Sequence, residues 1–316
     1  MNRLCSILNI EVPILQGGMG NISNAKLTAA ISEAGALGTI GAGTRTPDEV
    51  ERIILETKER TARPFAVNVA LSVSTHAKEL AEIIVKHEVK AVSLSAGNPA
   101  PFIPYFQEHG VKVLAVTASV RQAEKAQAGG ADIIVGEGFE AAGLNSPLET
   151  TTLALIPQLV DAVQIPVAAA GGIADGRGLA AMLVLGAEGV QMGTRFIATK
   201  EAPFSPLYKQ RLLEADDHGT MVIGRSVGRV RRVLRNPYAG RVLDNESKGM
   251  SLEEYSRQTD EEFHIAGAID GNENAGYWNS GQITGLIREI PSVKEVINEM
   301  KTDFDKAAAR LKEINF

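Results

Sequence analysis

One cysteine in 316 residues, Cys5, rules out an intrachain disulfide, and with no Cys or His near it at ligand spacing it does not begin a metal site. An inert packed thiol is the ordinary reading of such a residue and a catalytic thiol the sharper one. Histidine is nearly as scarce. No HxH, HxxxH or carboxylate-partner spacing among the five suggests a metal, so no metal site is expected. His87, His109 and His218 fall in helix ends or polar stretches and read as exposed, His264 falls in the segment read below as a lid, and only His76, just after strand three, stands near the expected ligand-binding face. Surplus positive charge is also missing. With 32 Lys and Arg against 38 Asp and Glu the formal charge is −6, which argues against nucleic acid as the main partner. No apolar run approaches the roughly 20 residues of a membrane helix, and the start of the chain lacks a secretory signal. A cytoplasmic protein with a small-molecule ligand, no nucleic acid and no membrane is the expectation.

What the chain does have is a repeated unit. Short apolar runs recur at Val12–Gln16, Ala36–Ile40, Phe65–Ala70, Ala91–Leu94, Lys112–Val116, Asp132–Val135, Pro166–Ala170 and Gly189–Met192, each followed by a segment of helical period. Helix openings stand at Asn24, at Thr46-Pro47-Asp48-Glu49, near Thr75, near Pro99 and at Ser119. Eight β-then-α units predict an α/β fold, a TIM (β/α)₈ barrel. A doubly wound sheet is the rival, but glycine and polar residues follow nearly every strand and no GxGxxG follows the first. After Thr194 the regularity stops. Residues 201–271 read as a small helical insertion after strand eight, a lid over the barrel mouth, leaving 1–200 and 272–316 as the barrel. Asn279 to Asn315 returns to helical period, as the last barrel helix and an extension.

The stretch Pro166–Thr194 carries the first chemistry. Two strands end on Gly171-Gly172 and Gly193-Thr194, where bare backbone can approach a phosphate; tight turns set by sterics alone are the alternative. Asp175 reads as a helix cap. Gln16-Gly17-Gly18-Met19 and Asn68 close strands one and three, and Glu137 and Glu140 follow strand six as possible cofactor contacts, an acid–base pair, or caps. The run Arg225, Arg229, Arg231, Arg232, Arg235 is either a solvated helix face or a site for the phosphates of a nicotinamide nucleotide. The segment Ala275–Leu286, with Tyr277 and Trp278, is open to three readings: core packing, a pocket wall, or the contact of a homodimer.

Six strings occur together in order: PILQGGMG, PFAVNVA, GEGFEAAG, PVAAAGGIADG, GVQMGTRF and GYWNSGQITGL. In them the chain resembles the nitronate monooxygenase family, also called 2-nitropropane dioxygenase-like, which includes the FMN-dependent enoyl-ACP reductase II enzymes. The resemblance implies a TIM barrel holding FMN without a covalent bond. Matched residue by residue, it implies cofactor contacts at Gly17, Gly18, Met19, Asn68, Glu137, Ala142, Gly171, Gly172, Gln191, Met192, Gly193 and Thr194. The last four, with Gly171 and Gly172, are the implied phosphate cradle.

One position departs from the family. Members that oxidise nitronates or reduce enoyl thioesters carry GxEAGGH after strand six, and here GFEAAGL puts Leu144 at the histidine. Leucine cannot move a proton; Asn145, Ser146 and His76 are the candidates left nearby. Hydride transfer from NAD(P)H to a flavin needs no such base, so the expected function is an FMN-dependent NAD(P)H oxidoreductase passing electrons to an organic acceptor or oxygen. Nitronate oxygenation or enoyl-thioester reduction proper is the alternative within enzymes. A low-turnover flavin-binding partner or sensor is the alternative of another class, and a flavin-free phosphosugar barrel a third. General acid–base help is worth about 10²- to 10⁴-fold, so turnover of propionate nitronate should lie that far below a histidine-bearing relative's. Parallel steady-state assays check this.

Overall fold

The computed structural model describes residues 2–314. The expected apolar runs form β1 (Ile14–Gln16), β2 (Gly38–Gly41), β3 (Phe65–Ala70), β4 (Ala91–Ser95), β5 (Lys112–Thr117) and β6 (Ile133–Glu137). A two-residue strand, β7 (Gly143–Leu144), precedes β8 (Val167–Ala170) and β9 (Gly189–Met192). All but β7 lie in one parallel sheet of hydrogen-bonded order β1-β9-β8-β6-β5-β4-β3-β2. A parallel bridge from Leu15 to Leu37 brings β1 back beside the start of β2, so the sheet closes on itself as a TIM barrel.

Side chains alternate along each strand, and the two faces are filled differently. Val67, Val92, Val113, Ile134, Ala169 and Val190 point outward and pack with the helices. Leu15, Ala66, Ala91, Leu114, Ile133 and Ala168 form a separate inner cluster, stoppered by Leu4 and Leu8 of the helix Arg3–Leu8. Two or four residues further along the inner rows stand Gly17, Asn68, Ser93, Ser95, Glu137 and Ala170, small or polar at the carboxyl ends of the strands. The interior therefore changes along its axis from packed hydrocarbon to an open polar mouth.

The helices start where side chains can cap them. Asn24, Ser119 and Asp175 each accept an amide of the first turn, and Thr46 with Glu49 forms a full capping box. The helices after β3 and β4 begin later than expected, at Ala77 and Ile103. Two further expectations are corrected. The basic run is not a helix face: Gly224 and Gly228, at φ +80 and +67, break any helix, and the chain folds as an antiparallel hairpin of β10 (Thr220–Ile223) and β11 (Arg231–Leu234). The other elements of the 201–271 segment are the helices Pro206–Glu214, Pro237–Ser247, Leu252–Gln258 and Glu261–Ala268. Nor is 279–315 continuously helical. A 3₁₀ turn covers Gln282–Leu286, Pro291 intervenes, and the long helix runs only over Val293–Lys312; Asn315 lies outside the described residues.

That last helix completes the ring by packing on the helix Gly176–Val184. A Cβ at Gly176 would lie 2.2 Å from both the carbonyl oxygen of Met300 and the amide nitrogen of Phe304, main-chain atoms that cannot turn aside. Gly176→Ala should therefore cost about 1–3 kcal/mol or more. Gly240→Ala, in the helix Pro237–Ser247 with nothing within 4 Å, should be neutral or stabilise by up to about 1 kcal/mol. Urea denaturation of the two variants separates these outcomes.

Candidate active site

The polar mouth opens into a cavity of about 950 Å³, the upper end of the usual range of about 300–1,000 Å³ for ligand sites. The loop after β1 and residues from β3, β4, β5, β6, β8 and β9 line it on the barrel side, and residues from β11, the helix Glu261–Ala268 and the segment after Trp278 on the other. The structure brings together Gly17, Gly18, Met19, Asn68, Glu137, Ala142, Gly171, Gly172, Gln191, Met192, Gly193 and Thr194 around this one space. Leu144, Asn145 and Ser146 line it as well. His76 does not: its Nδ1 lies 3.8 Å from Glu79 on the first turn of the next helix, on the surface. His87, expected to be exposed, is largely covered, with its side chain 14% exposed and Nε2 2.6 Å from Glu51.

The floor is bare backbone. A Cβ at Gly18 would fall 2.3 Å from Asn68, so the loop after β1 can lie on β3 only as glycine. Gly171 and Gly172 adopt φ +92 and +75, and a Cβ at Gly171 would meet the Ala141 amide nitrogen and the Gly138 oxygen at 3.0 Å. Neighbouring side chains are oriented by the fold. Asn68 donates to Ser93 and Ser95 at 3.1–3.2 Å, which leaves its Oδ1 as the atom to offer a ligand. Thr194 Oγ1 accepts the Gly281 amide at 2.9 Å, leaving its hydroxyl hydrogen to donate.

The two acids after strand six separate cleanly. Glu140 accepts the amide and hydroxyl of Thr152 at 2.9 Å and so opens the helix Thr152–Ala162; it is a cap. Glu137 ends β6 with no such partner, half-buried by surface yet ringed by protein, and burial pushes its carboxyl up to about 7. Near neutrality it exchanges between donor and acceptor.

Position 144 is part of the wall. β7 pairs antiparallel with β11, Leu144 opposite Arg231 and Gly143 opposite Arg232, and the leucine side chain is partly exposed. Asn145 donates to the carbonyls of Ala141 and Gly143 at 3.0 and 3.1 Å, and Ser146 accepts the Leu148 amide, so both brace their own loop. The basic run is likewise engaged. Arg225 pairs with Glu149, and Arg232 lies 4.6 Å over the ring of Phe139.

The residue that sequence reading passed over is His264. It is 3% exposed, lines the cavity, and lies with Nδ1 3.4 Å from Glu261 and Nε2 3.3 Å from Asn279. A signal existed: Glu261 and His264 are three apart, which on a helix places them on one face. What hid it was the irregularity of residues 201–271, in which no periodicity tells which side chain faces the barrel mouth.

The sequence profile of the family described as "Nitronate monooxygenase" matches residues 1–82 and 76–303. A Mycobacterium tuberculosis protein named "(3aS,4S,5R,7aS)-5-hydroxy-7a-methyl-1-oxo-octahydro-1H-indene-4-carboxyl-CoA dehydrogenase" is 33% identical over 339 residues, covering 95% of each chain. A Staphylococcus saprophyticus protein named "Probable nitronate monooxygenase" is 30% identical, covering 95% of this chain and 96% of its own. Among solved structures, FabK from Thermotoga maritima superposes with a TM-score of 0.92 at 39% identity, covering 99% of this chain and 98% of that one.

Glu137 gives the site a pH dependence of known sign. A carboxyl raised from 4.5 to about 7 makes the folded state bind more protons than the unfolded one, so its share of stability is present below about pH 4.5 and lost as pH rises through 7. Allowing for water in the cavity, that share is on the order of 2 kcal/mol. Glu137→Gln should remove it, so the ligand-free variant gains on the wild type between pH 5 and pH 8. Thermal melts at the two pH values measure the difference.

Proposed function

The chain belongs to the nitronate monooxygenase family, and we propose that within it the protein is an FMN-dependent NAD(P)H oxidoreductase, its flavin reoxidised by an organic acceptor or by oxygen. The observation that carries this reading is the glycine floor: a cavity large enough for a mononucleotide, with bare backbone at Gly18, Gly171 and Gly172, positions where close neighbours or a positive φ oppose any side chain.

Gly171, Gly172, Gly193 and Thr194 hold the phosphate, Thr194 through the hydroxyl hydrogen that Gly281 leaves free. Asn68 Oδ1 accepts from a ring N–H, and Glu137 and Gln191 meet further polar atoms. FMN, when bound, supplies two-electron chemistry between a nicotinamide and an acceptor. The protein contributes binding, orientation and exclusion of water. The 201–271 segment acts as the lid, and Arg229, exposed at the cavity wall, meets a phosphate of the nicotinamide nucleotide. The CoA thioester in the name of the M. tuberculosis relative supports a second reading, in which the organic acceptor is an acyl thioester.

The purified protein should be yellow and release FMN on denaturation. Anaerobic mixing with NADH and NADPH should bleach the flavin with at least one of them, and quinone, enoyl-thioester, nitronate and oxygen arms then identify the acceptor. Gly171→Val, at a φ that valine does not tolerate, should lower flavin content at least tenfold. A colourless wild-type protein, or a flavin that stays oxidised under both nicotinamides, overturns the reading.

A further inference from the structure

We infer that His264, held between Glu261 and Asn279 in the wall of the cavity, is the group that exchanges a proton with the bound substrate. The inference rests on the oxidoreductase reading only for the identity of that substrate.

Donor and acceptor roles fix the direction of the chain of contacts. Arg231 has only N–H groups to offer, so the Asn279 atom 3.1 Å from its Nη1 is the oxygen. The Asn279 nitrogen therefore faces His264 Nε2 at 3.3 Å and donates to it. Nε2 is an acceptor, the ring proton sits on Nδ1, and Nδ1–H points to Glu261 at 3.4 Å. Burial pushes the Glu261 carboxyl up, but His264, the Asn21 amide and the charge of Arg231 outweigh it and hold the group below the usual carboxylate range. The arrangement is a carboxylate orienting an imidazole whose other nitrogen carries a lone pair, the logic of a general base.

Both bonds of the imidazole are long, which suits a base that must trade a resting partner for a substrate and tightens only in the complex. The ring itself is fixed by stacking on Tyr277, centroids 5.2 Å apart and planes within 10°. When a substrate C–H or O–H bond breaks, its proton passes to Nε2 and its electron pair stays on the substrate. Nδ1–H stays on Glu261, whose negative charge balances the imidazolium; the reverse step returns the proton. The groups facing this one are Glu261 on its own helix, Arg231 on β11, Tyr277 beneath the ring, Arg45 acting on Glu261 from below, and Glu137 in the same cavity. Position 144 is linked to it: Leu144 pairs with Arg231, Arg231 holds Asn279, and Asn279 holds His264. An imidazole thus enters the cavity from the insertion, where none is available from the loop after β6.

The test uses ¹⁵N-histidine-labelled holoprotein, wild type, His264→Gln and Glu261→Gln, with two readouts. In NMR, the His264 ring nitrogens should report the Nδ1–H tautomer, and the Nε2 signal should move when a probe that is turned over is added. With crotonyl-CoA, menadione and nitroethane as probes, kcat/KM is followed for whichever is turned over. Glu261→Gln should lower kcat/KM, because the charge that balances the imidazolium is gone. His264→Gln should lower kcat/KM by about 10²- to 10⁴-fold, a loss at least tenfold greater than in flavin reduction by the nicotinamide. A ring that carries its proton on Nε2 overturns the inference, as does a His264→Gln enzyme with unaltered rate. If none of the probes is turned over, the acceptor assignment fails, and the ring tautomer still decides on His264. Near-ultraviolet circular dichroism confirms that the variants are folded; should His264→Gln fail to fold, Glu261→Gln carries both readouts.

Discussion

The alternation of side chains along parallel strands is the constraint on which the rest of this structure depends. A barrel strand has only two directions in which to send its residues, and the outward rows must be apolar because helices cover them. Freedom to build a site exists only on the inward rows. There Leu15, Leu114 and Ile133 fill the amino-terminal half, with Leu4 and Leu8 as the stopper. Once that half is packed, the next residues inward can be glycine, alanine, serine, asparagine and glutamate without loss of the core. The cavity is the consequence of stopping the hydrophobic filling part-way along the axis.

A cavity of this size needs a second wall, and the chain supplies it from segments far apart in sequence. Tyr208, fully buried, stacks on Trp278 with centroids 5.3 Å apart and donates its hydroxyl to the Asn279 carbonyl at 2.6 Å. Two residues on, Gly281 and Gln282 donate to Thr194 and to the carbonyl of Glu140. The late segment is thereby fastened to the insertion, to the end of β9 and to the loop after β6 within five residues. Because Glu140 also caps the helix Thr152–Ala162, that loop is held from both ends. Hence the wall is as well determined as the floor, although almost none of it is regular secondary structure.

The difference between floor and wall explains what could be read from the sequence. The eight strands of the barrel advertise themselves by apolar runs and by the small residues that close several of them, since the steric demand at Gly18 or Gly171 is local and leaves a local mark. The caps at Asn24, Thr46 and Asp175 are legible for the same reason. Roles set by tertiary contact are not. Nothing in the spacing of Glu137 and Glu140 says which one a distant threonine will engage, and Thr152 decides it. Arg231 and Arg232 look like one basic run; the hairpin sends one toward Asn279 and the other onto Phe139, because adjacent residues of a strand face opposite ways. His264 is legible in the sequence as a histidine three residues after an acid; that it faces the cavity is set by how residues 201–271 fold.

The fold makes little demand on which side chain stands at position 144. β7 meets β11 through backbone pairing, which is indifferent to the side chain, and the side chain itself projects to partly exposed space and not into a packed core. A substitution there neither opens a void nor strands a buried partner, two of the mechanisms that make substitutions costly. The glycine floor of the cavity depends on different residues on different strands. Floor and wall are therefore mechanically separate in this architecture: the first is fixed by glycines whose surroundings or backbone conformation oppose a side chain, and the second sits on loops and late segments whose side chains can change without disturbing the barrel.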